Sequence, residues 1–243
     1  MLDVDRDPLS QASVGNALLR RMPAADYERL RPHLSRTSVA CGDVVAVAGE
    51  PVGVVCFLEG GVAGFLDVLR DGRRVAVGVV GRDGFVGWPL LMGNDRWPYD
   101  VQLRAAGTTA IRVDAQRVAE LVASSPASRD LLLRFAGVFM AQMGRTIVSN
   151  LINSVDRRAA RWLLLYHDRL DGDEIALTHE ELGAMLGVRR ASVTDALHVL
   201  EGEALIRGHR GRVVIRDRAG LEAWASDAYG YAEAEYERLI ANG

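Results

Sequence analysis

With 243 residues, 49% of them hydrophobic and 25% charged, the chain can hold one large domain or two small ones, each with a buried core. A formal charge of −3 excludes a nucleic-acid binder that works through overall charge, so any such function must rest on a local basic patch. All of its basic residues are arginine, a usage that genomic base composition explains better than selection for bidentate contacts.

The opening stretch, MLDVDRDPLSQASVG, is acidic and lacks the apolar core of a signal peptide. No apolar run approaches the ~20 residues of a membrane helix. The chain therefore reads as cytoplasmic, with Cys41 and Cys56 reduced. A helical stretch is expected near Leu18 to Leu34. Residues 38–114 are rich in valine and glycine, as in CGDVVAVAGEPVG, FLEGGVAGFLDVLRDGRRVAVGVVGRDG and VQLRAAGTTAIRVD. Short apolar runs punctuated by Asp-Gly and Gly-Gly predict antiparallel strands in a small barrel or sandwich. LRDGRR is the clearest hairpin, because Asp-Gly tolerates the positive φ angles of a two-residue turn.

A short helix follows from Ala115 to Leu121 and is broken at SSPAS. The segment RDLLLRFAGVFMAQMGRTIVSNLINS then predicts a long helix without proline. Leu132, Ala136, Phe139, Met143 and Thr146 keep a four–three spacing that Asn150 and Asn153 continue, a seam suited to a partner helix. A helix buried on its own barrel shows a similar stripe. The length favours the seam, since ~26 residues at ~1.5 Å each span roughly 39 Å, more than a small barrel needs. Beyond it, VDRRAARWLLLYHDRL reads as an amphipathic helix, DGDEIAL as a turn and strand, IRGHRGRVVIRD as a hairpin, and LEAWASDAYGYAEAEYERLI as a final acidic helix.

Between these elements lies LTHEELGAMLGVRRASVTDALHVLEGEALIR, two short helices on either side of Gly187. Thr178 and Glu181 have the spacing of a capping box. Leu182, Met185 and Leu186 form the inner stripe of the first helix, Gly187 stops it in a left-handed conformation, and Val188 anchors the turn. Val193, Leu197 and Leu200 turn inward from the second helix. Arg189, Arg190, Ser192, Thr194 and Asp195 are left near its outer N-terminal end. This is a helix-turn-helix pattern, with the second helix entering the major groove. The following hairpin, bearing Arg207, His209, Arg210 and Arg212, forms a wing over the DNA backbone. Thr178 and His179 stand within reach of a phosphate from the first helix. From Gly187 to Arg218 there are seven arginines against four acids, a surplus of +3 in an acidic chain. The plainer alternative is a helical hairpin with solvated arginines, or a winged helix that binds protein.

The chain resembles the Crp/Fnr family of bacterial transcription regulators over nearly its whole length. LTHEELGAMLGVRRASVTDALHVLEGEALIRGHRGRVVIRDRAGLE is similar to that family's winged helix-turn-helix. GDVVAVAGEPVGVVCFLEGGVAGF and VGRDGFVGWPLLMG are similar to its cyclic-nucleotide-binding-type barrel. The ending, AYGYAEAEYERLI, resembles an alphaproteobacterial branch whose effectors are mostly undefined. The resemblance implies an α+β architecture. An N-terminal, jelly-roll-like antiparallel β-barrel fills 1–126, a dimerisation helix 127–154, and a winged helix-turn-helix domain 155–243.

It further implies a homodimer on a near-palindromic double-stranded DNA site, RNA polymerase as a further partner, and no resident cofactor. Arg190 falls at a family base-contact position, whereas Ala191 replaces the usual Glu and Asp195 a later arginine, so the recognised sequence should differ from the best-known one. Cyclic-nucleotide binders hold the phosphate with Gly-Glu and Arg-Ser or Arg-Thr pairs. Here Trp88 stands in the carboxylate's place, with Tyr99 and Asp100 near the arginine's, which disfavours cAMP and cGMP. Trp88, Trp97, Tyr99 and Asp100 could line a pocket for another small molecule, or simply fill the vacated space.

Two cysteines do not make a four-thiolate cluster, and His33, His167, His179, His198 and His209 are scattered without metal spacing. There is no phosphate-binding Walker loop and no nucleophile elbow, so an enzyme is not expected.

Overall fold

The computed structural model describes residues 9–104 and 108–242. Asn16 starts the first helix, α1 (Ala17–Arg21): its Oδ1 accepts from the Leu18 and Leu19 amides. Its Nδ2 donates to the carbonyls of Leu58 and Gly84 at 2.9 and 2.7 Å. One buried side chain thus caps the helix and ties it to the strands behind. α2 (Ala24–Leu30) follows, with Pro23 at its N-cap.

Eight strands come next: β1 (Ser35–Val39), β2 (Val44–Ala46), β3 (Val54–Leu58), β4 (Ala63–Val68), β5 (Arg74–Val80), β6 (Phe85–Val86), β7 (Asp100–Leu103) and β8 (Thr108–Asp114). They form two antiparallel four-stranded sheets, ordered β1-β8-β3-β6 and β2-β7-β4-β5. Val55, Phe57 and Ile111 from one sheet and Phe65, Val101 and Leu103 from the other are buried in one core.

The LRDGRR turn differs from the two-residue form. Leu69 N donates to Arg73 O at 2.8 Å, which leaves Arg70, Asp71 and Gly72 as a three-residue loop. Gly72 takes φ +82° while Asp71 keeps a negative φ and accepts from the Arg73 amide at 3.1 Å. A three-residue loop needs a left-handed residue only at its glycine.

α3 (Ala115–Ser124) runs past Leu121, and α4 (Pro126–Ile152) starts within SSPAS. That stretch is a start signal. Ser125 Oγ accepts from Ser128 N at 3.2 Å, and Pro126 takes the first helical position, where an amide has no intrahelical partner. Buried Asp26 accepts from the Ser125 and Ser128 hydroxyls, and these bonds hold its carboxyl below the usual aspartate range.

α4 lies on glycines of GVVGRDGFVGW. A Cβ at Gly84 would sit 1.9 Å from the Phe135 ring, and one at Gly78 2.8 Å from the Phe139 ring. The ring centroids of Phe65 and Phe139 are 4.7 Å apart. This corrects the expected seam. Leu132, Ala136 and Phe139 are buried in the chain's own barrel core, Met143 packs on it half-buried, and Thr146 is buried, its hydroxyl donating to Gln142 O. Asn150 is exposed but accepts from Arg158 Nε at 3.1 Å. The outward apolar stripe is one residue later: Leu133, Met140, Ile147 (62% exposed) and Leu151 (78% exposed). Gly137 and Gly144 lie between them with open space over their Cα atoms.

The sequence-based count of apolar runs also needs correcting. By length and composition α4 could cross a membrane, with a mean hydropathy of 1.3 over its most apolar window, although 39% of that window is buried against the rest of the protein.

The third region comprises α5 (Val155–His167), β9 (Glu174–Ala176), α6 (His179–Leu186), α7 (Arg190–Gly202), β10 (Ile206–His209), β11 (Arg212–Ile215) and α8 (Arg218–Ala225). Its strands form a sheet ordered β10-β11-β9. Trp162, Leu182, Val193 and Leu197 form a second core that continues into Leu66, Ala76 and Val79 of the β4–β5 hairpin. The helix-turn-helix is therefore seated on the barrel.

The expected final helix is broken. Ser226, at φ +52°, and Gly230, at φ +101°, turn the chain, so that α9 (Tyr231–Tyr236), extended by one π turn to Ala241, runs back onto α4. Arg145 stacks 4.3 Å above the Tyr231 ring, and Arg21 Nε donates to Ile240 O at 3.1 Å.

Cys41 is exposed and Cys56 buried, and burial pushes the Cys56 thiol up to about 11. A thiol reagent at neutral pH should therefore modify one cysteine per native chain and two in denaturant; rapid modification of both in the native protein would contradict this burial.

Candidate nucleic-acid interface

The interface is assembled from local rules. Thr178 Oγ1 accepts from Glu181 N at 3.1 Å, while Glu181 Oε2 accepts from Thr178 N at 2.8 Å, so α6 starts on a complete capping box. Gly187 adopts φ +64°, and Val188 N donates back to Gly183 O at 3.0 Å, which closes the turn. Gly183 itself must be small: a Cβ there would lie 3.0 Å from Val188 O. α7 then buries Val193, Ala196, Leu197 and Leu200 and leaves its N-terminal end outside.

Arg189 occupies the N-cap position of α7 and Arg190 its first turn; both are exposed, as is Asp195. Ser192 is half-buried. Thr194 and His179 are already engaged with each other. The Thr194 hydroxyl donates to Arg190 O at 3.1 Å, and His179 Nδ1 lies 3.0 Å from Thr194 Oγ1. The pair fastens α6 to α7, and the Thr178 hydroxyl is likewise occupied, donating to Glu181 at 2.8 Å.

The β10–β11 hairpin closes through His209 opposite Arg212, with Gly211 at φ +75°. Arg210 is exposed at its tip. Arg212 makes a 3.2 Å pair with Glu174 on the neighbouring strand. Both partners are exposed, so the pair can open at little cost. Glu201 Oε1 accepts from Gly208 N at 2.6 Å and sets the hairpin against α7.

Between α7 and the hairpin runs a groove of about 800 Å³ that gathers Thr178, His179, Arg190, His209 and Arg210, with Glu180 and Glu201 also on its lining. Arg189, Ser192, Thr194, Asp195 and Arg212 do not line it. His198 lines it too, although the family resemblance gives it no role. It stands eight residues after Arg190 on the same helical face, and that i, i+4, i+8 spacing through Thr194 was the available signal.

The residues singled out in the barrel are differently placed. Trp88 and Trp97 are core side chains, with the Trp88 ring 6.0 Å from that of Phe139. Tyr99 packs half-buried at the edge of this core. Asp100 Oδ1 accepts from Ala48 N at 2.9 Å and fastens β7 to the turn that follows β2. Among the described residues, no three His, Cys, Asp or Glu side chains gather as a metal site.

Residues 157–224 match the model of the Crp-like helix-turn-helix domain, and residues 36–125 that of the cyclic nucleotide-binding domain. No curated protein sequence matches the chain. Among solved structures, the CRP-family transcriptional regulator TTHB099 of Thermus thermophilus superposes with a TM-score of 0.64 at 22% identity, covering 78% of this chain and 96% of its own. FixK2 of Bradyrhizobium japonicum gives 0.69 at 18% identity, covering 81% and 99%. The regulator CLP of Xanthomonas campestris gives 0.63 at 20%, covering 79% and 99%. These likenesses establish a shared fold.

Proposed function

We propose that this chain, a DNA-binding transcription regulator of the Crp/Fnr type that joins a cyclic nucleotide-binding domain to a Crp-like helix-turn-helix domain, works as a homodimer on a near-palindromic duplex. Residues 1–126 act as the sensor barrel, 127–154 as the dimerisation helix and 155–243 as the DNA-binding domain. α7 enters the major groove with Arg190 on a base edge, and Arg210 and Arg212 of the wing hold phosphates.

The observation that carries this reading is the exposed α7 end and hairpin tip, where Arg190, His209 and Arg210 share a groove with Glu180 and Glu201 inside a 187–218 segment that carries a surplus of +3 on an otherwise acidic molecule. The exposed stripe of Leu133, Met140, Ile147 and Leu151 supports the dimer, because two copies related by a twofold axis bury the same stripe against itself. Titration of a selected duplex should saturate at two chains per DNA; saturation at one chain would overturn the dimeric reading.

The barrel is read as one that does not take cAMP or cGMP. Trp88 is packed beneath α4, and by the resemblance to cyclic-nucleotide binders the Asp100 carboxylate, here accepting from Ala48 N, falls near the place of the phosphate-binding arginine. Calorimetry with either nucleotide should show no binding at micromolar concentration; a micromolar or tighter isotherm would contradict this.

A further inference from the structure

α9, α4, the barrel and the end of α5 meet around a cavity of about 430 Å³, well within the range of small-molecule sites. One wall is apolar, made by Phe135, Val138 and Phe139 of α4. The opposite side is polar and holds Arg169, which is itself buried, with a side chain only 8% exposed. Its guanidinium is fixed on two sides, with Nη1 donating to Leu165 O at 2.7 Å and Nη2 to Asp83 Oδ2 at 2.6 Å. A Cβ on Gly81 would lie 2.7 Å from its stem, so the sequence reserves room for this arginine.

Two donors in this wall lack an acceptor: Arg169 Nε and the Tyr236 hydroxyl are buried without a hydrogen-bond partner among the described residues. The neighbouring Tyr229 shows the contrast, since its hydroxyl donates to Asp168 at 2.8 Å and accepts from Arg218 at 2.9 Å. Buried donors are normally paired, and two in one cavity indicate an acceptor supplied from outside the chain. The charges restrict what that acceptor can be. Four carboxylates and two guanidinium groups line the cavity, and both guanidinium groups are already paired, Arg169 with Asp83 and Arg218 with Asp168 at 2.7 Å. An anion would meet surplus negative charge, and a cation would meet donors it cannot satisfy.

We propose that this cavity is a ligand site for an uncharged amphipathic small molecule, with an apolar body against Phe135 and Phe139 and an oxygen acceptor bonded to Arg169 Nε and the Tyr236 hydroxyl. Asp83 belongs to the barrel, Arg169 to the DNA-binding domain and Tyr236 to the returning C-terminal helix. Occupancy therefore fixes the three against one another and couples to DNA affinity, a consequence that rests on the function proposed above. The site itself does not depend on that function.

Prodan, an uncharged naphthalene dye whose carbonyl accepts hydrogen bonds and whose emission reports them, is a suitable probe. Titrated into the full-length protein without DNA, it should saturate at one dye per chain with blue-shifted emission. Ala234→Trp, at a position lining the cavity, should plug it and weaken binding by about tenfold or more. Tyr236→Phe should weaken binding several-fold and shift the bound emission further to the blue, as the carbonyl loses a donor. No saturable binding, or wild-type affinity in Ala234→Trp, overturns the site. Unchanged affinity and emission in Tyr236→Phe overturns the assigned acceptor. Neither readout involves DNA, so failure here leaves the DNA-binding proposal standing, and failure of DNA binding leaves the site standing.

Discussion

Ile147→Asp should convert the protein to monomers of 26.4 kDa and remove most of its affinity for a two-half-site duplex, with its melting temperature little changed. Ile147 is 62% exposed in the protomer, so a carboxylate there costs the isolated fold little. In the proposed dimer, the same position meets its twofold copy in the C-terminal half of the outward stripe. Two aspartates facing each other there combine like-charge repulsion with desolvation. A second recognition helix held at one-turn spacing raises avidity by about 10²–10⁴-fold, and a monomer forfeits that factor. Phe139→Asp is not an equivalent test. Phe139 is 1% exposed and packs on Phe65, so the substitution should unfold the barrel rather than separate two chains. Light scattering that shows an unchanged dimer in Ile147→Asp would take α4 out of the interface.

Arg190→Ala should flatten base preference at one position in each half-site and cost about 1–3 kcal/mol of discrimination there, the worth of a bidentate arginine–guanine pair. Arg190 lines the groove from the first turn of α7 and its side chain is exposed, so its removal should leave the fold intact. Arg210→Ala, at the hairpin tip, should instead weaken all sequences alike and reduce the salt dependence, as expected of a phosphate contact. Selection of binding sites from random duplexes distinguishes the two variants. Identical motifs and affinities for wild type and Arg190→Ala would remove Arg190 from base readout.

The parts of this structure that sequence makes legible are those governed by neighbouring residues. Thr178 and Glu181 form their cap because a hydroxyl and a carboxylate three residues apart can each reach an orphan amide, whatever surrounds them. Gly187 and the Arg210–Gly211 turn follow the same local logic.

The phase of α4 does not. Leu132, Ala136 and Phe139 and the set Leu133, Met140, Ile147 and Leu151 are both apolar and differ by a single residue, and which set faces inward depends on contacts some sixty residues away. The trace of that contact was in the barrel, where Gly78 and Gly84 leave space for Phe139 and Phe135. Glycine in a strand marks close approach, but not what approaches. The return of α9 onto α4 is hidden for a related reason: AYGYAEAEYERLI is rich in helix formers, Gly230 is the one local turn signal within it, and the positive φ of Ser226 has no sequence signal. The His179–Thr194 pair joins residues fifteen apart on two helices, so it follows from the packing of α6 on α7 and from no local pattern.

The most direct measurement for the whole account is the affinity of the wild-type protein for its selected duplex as a function of salt. If Arg189, Arg210 and Arg212 of both protomers meet about six phosphates, log K should fall against log salt with a slope of roughly −5. A slope near zero, or a selection that enriches no sequence at low salt, would mean that the arginine-bearing groove does not engage duplex DNA.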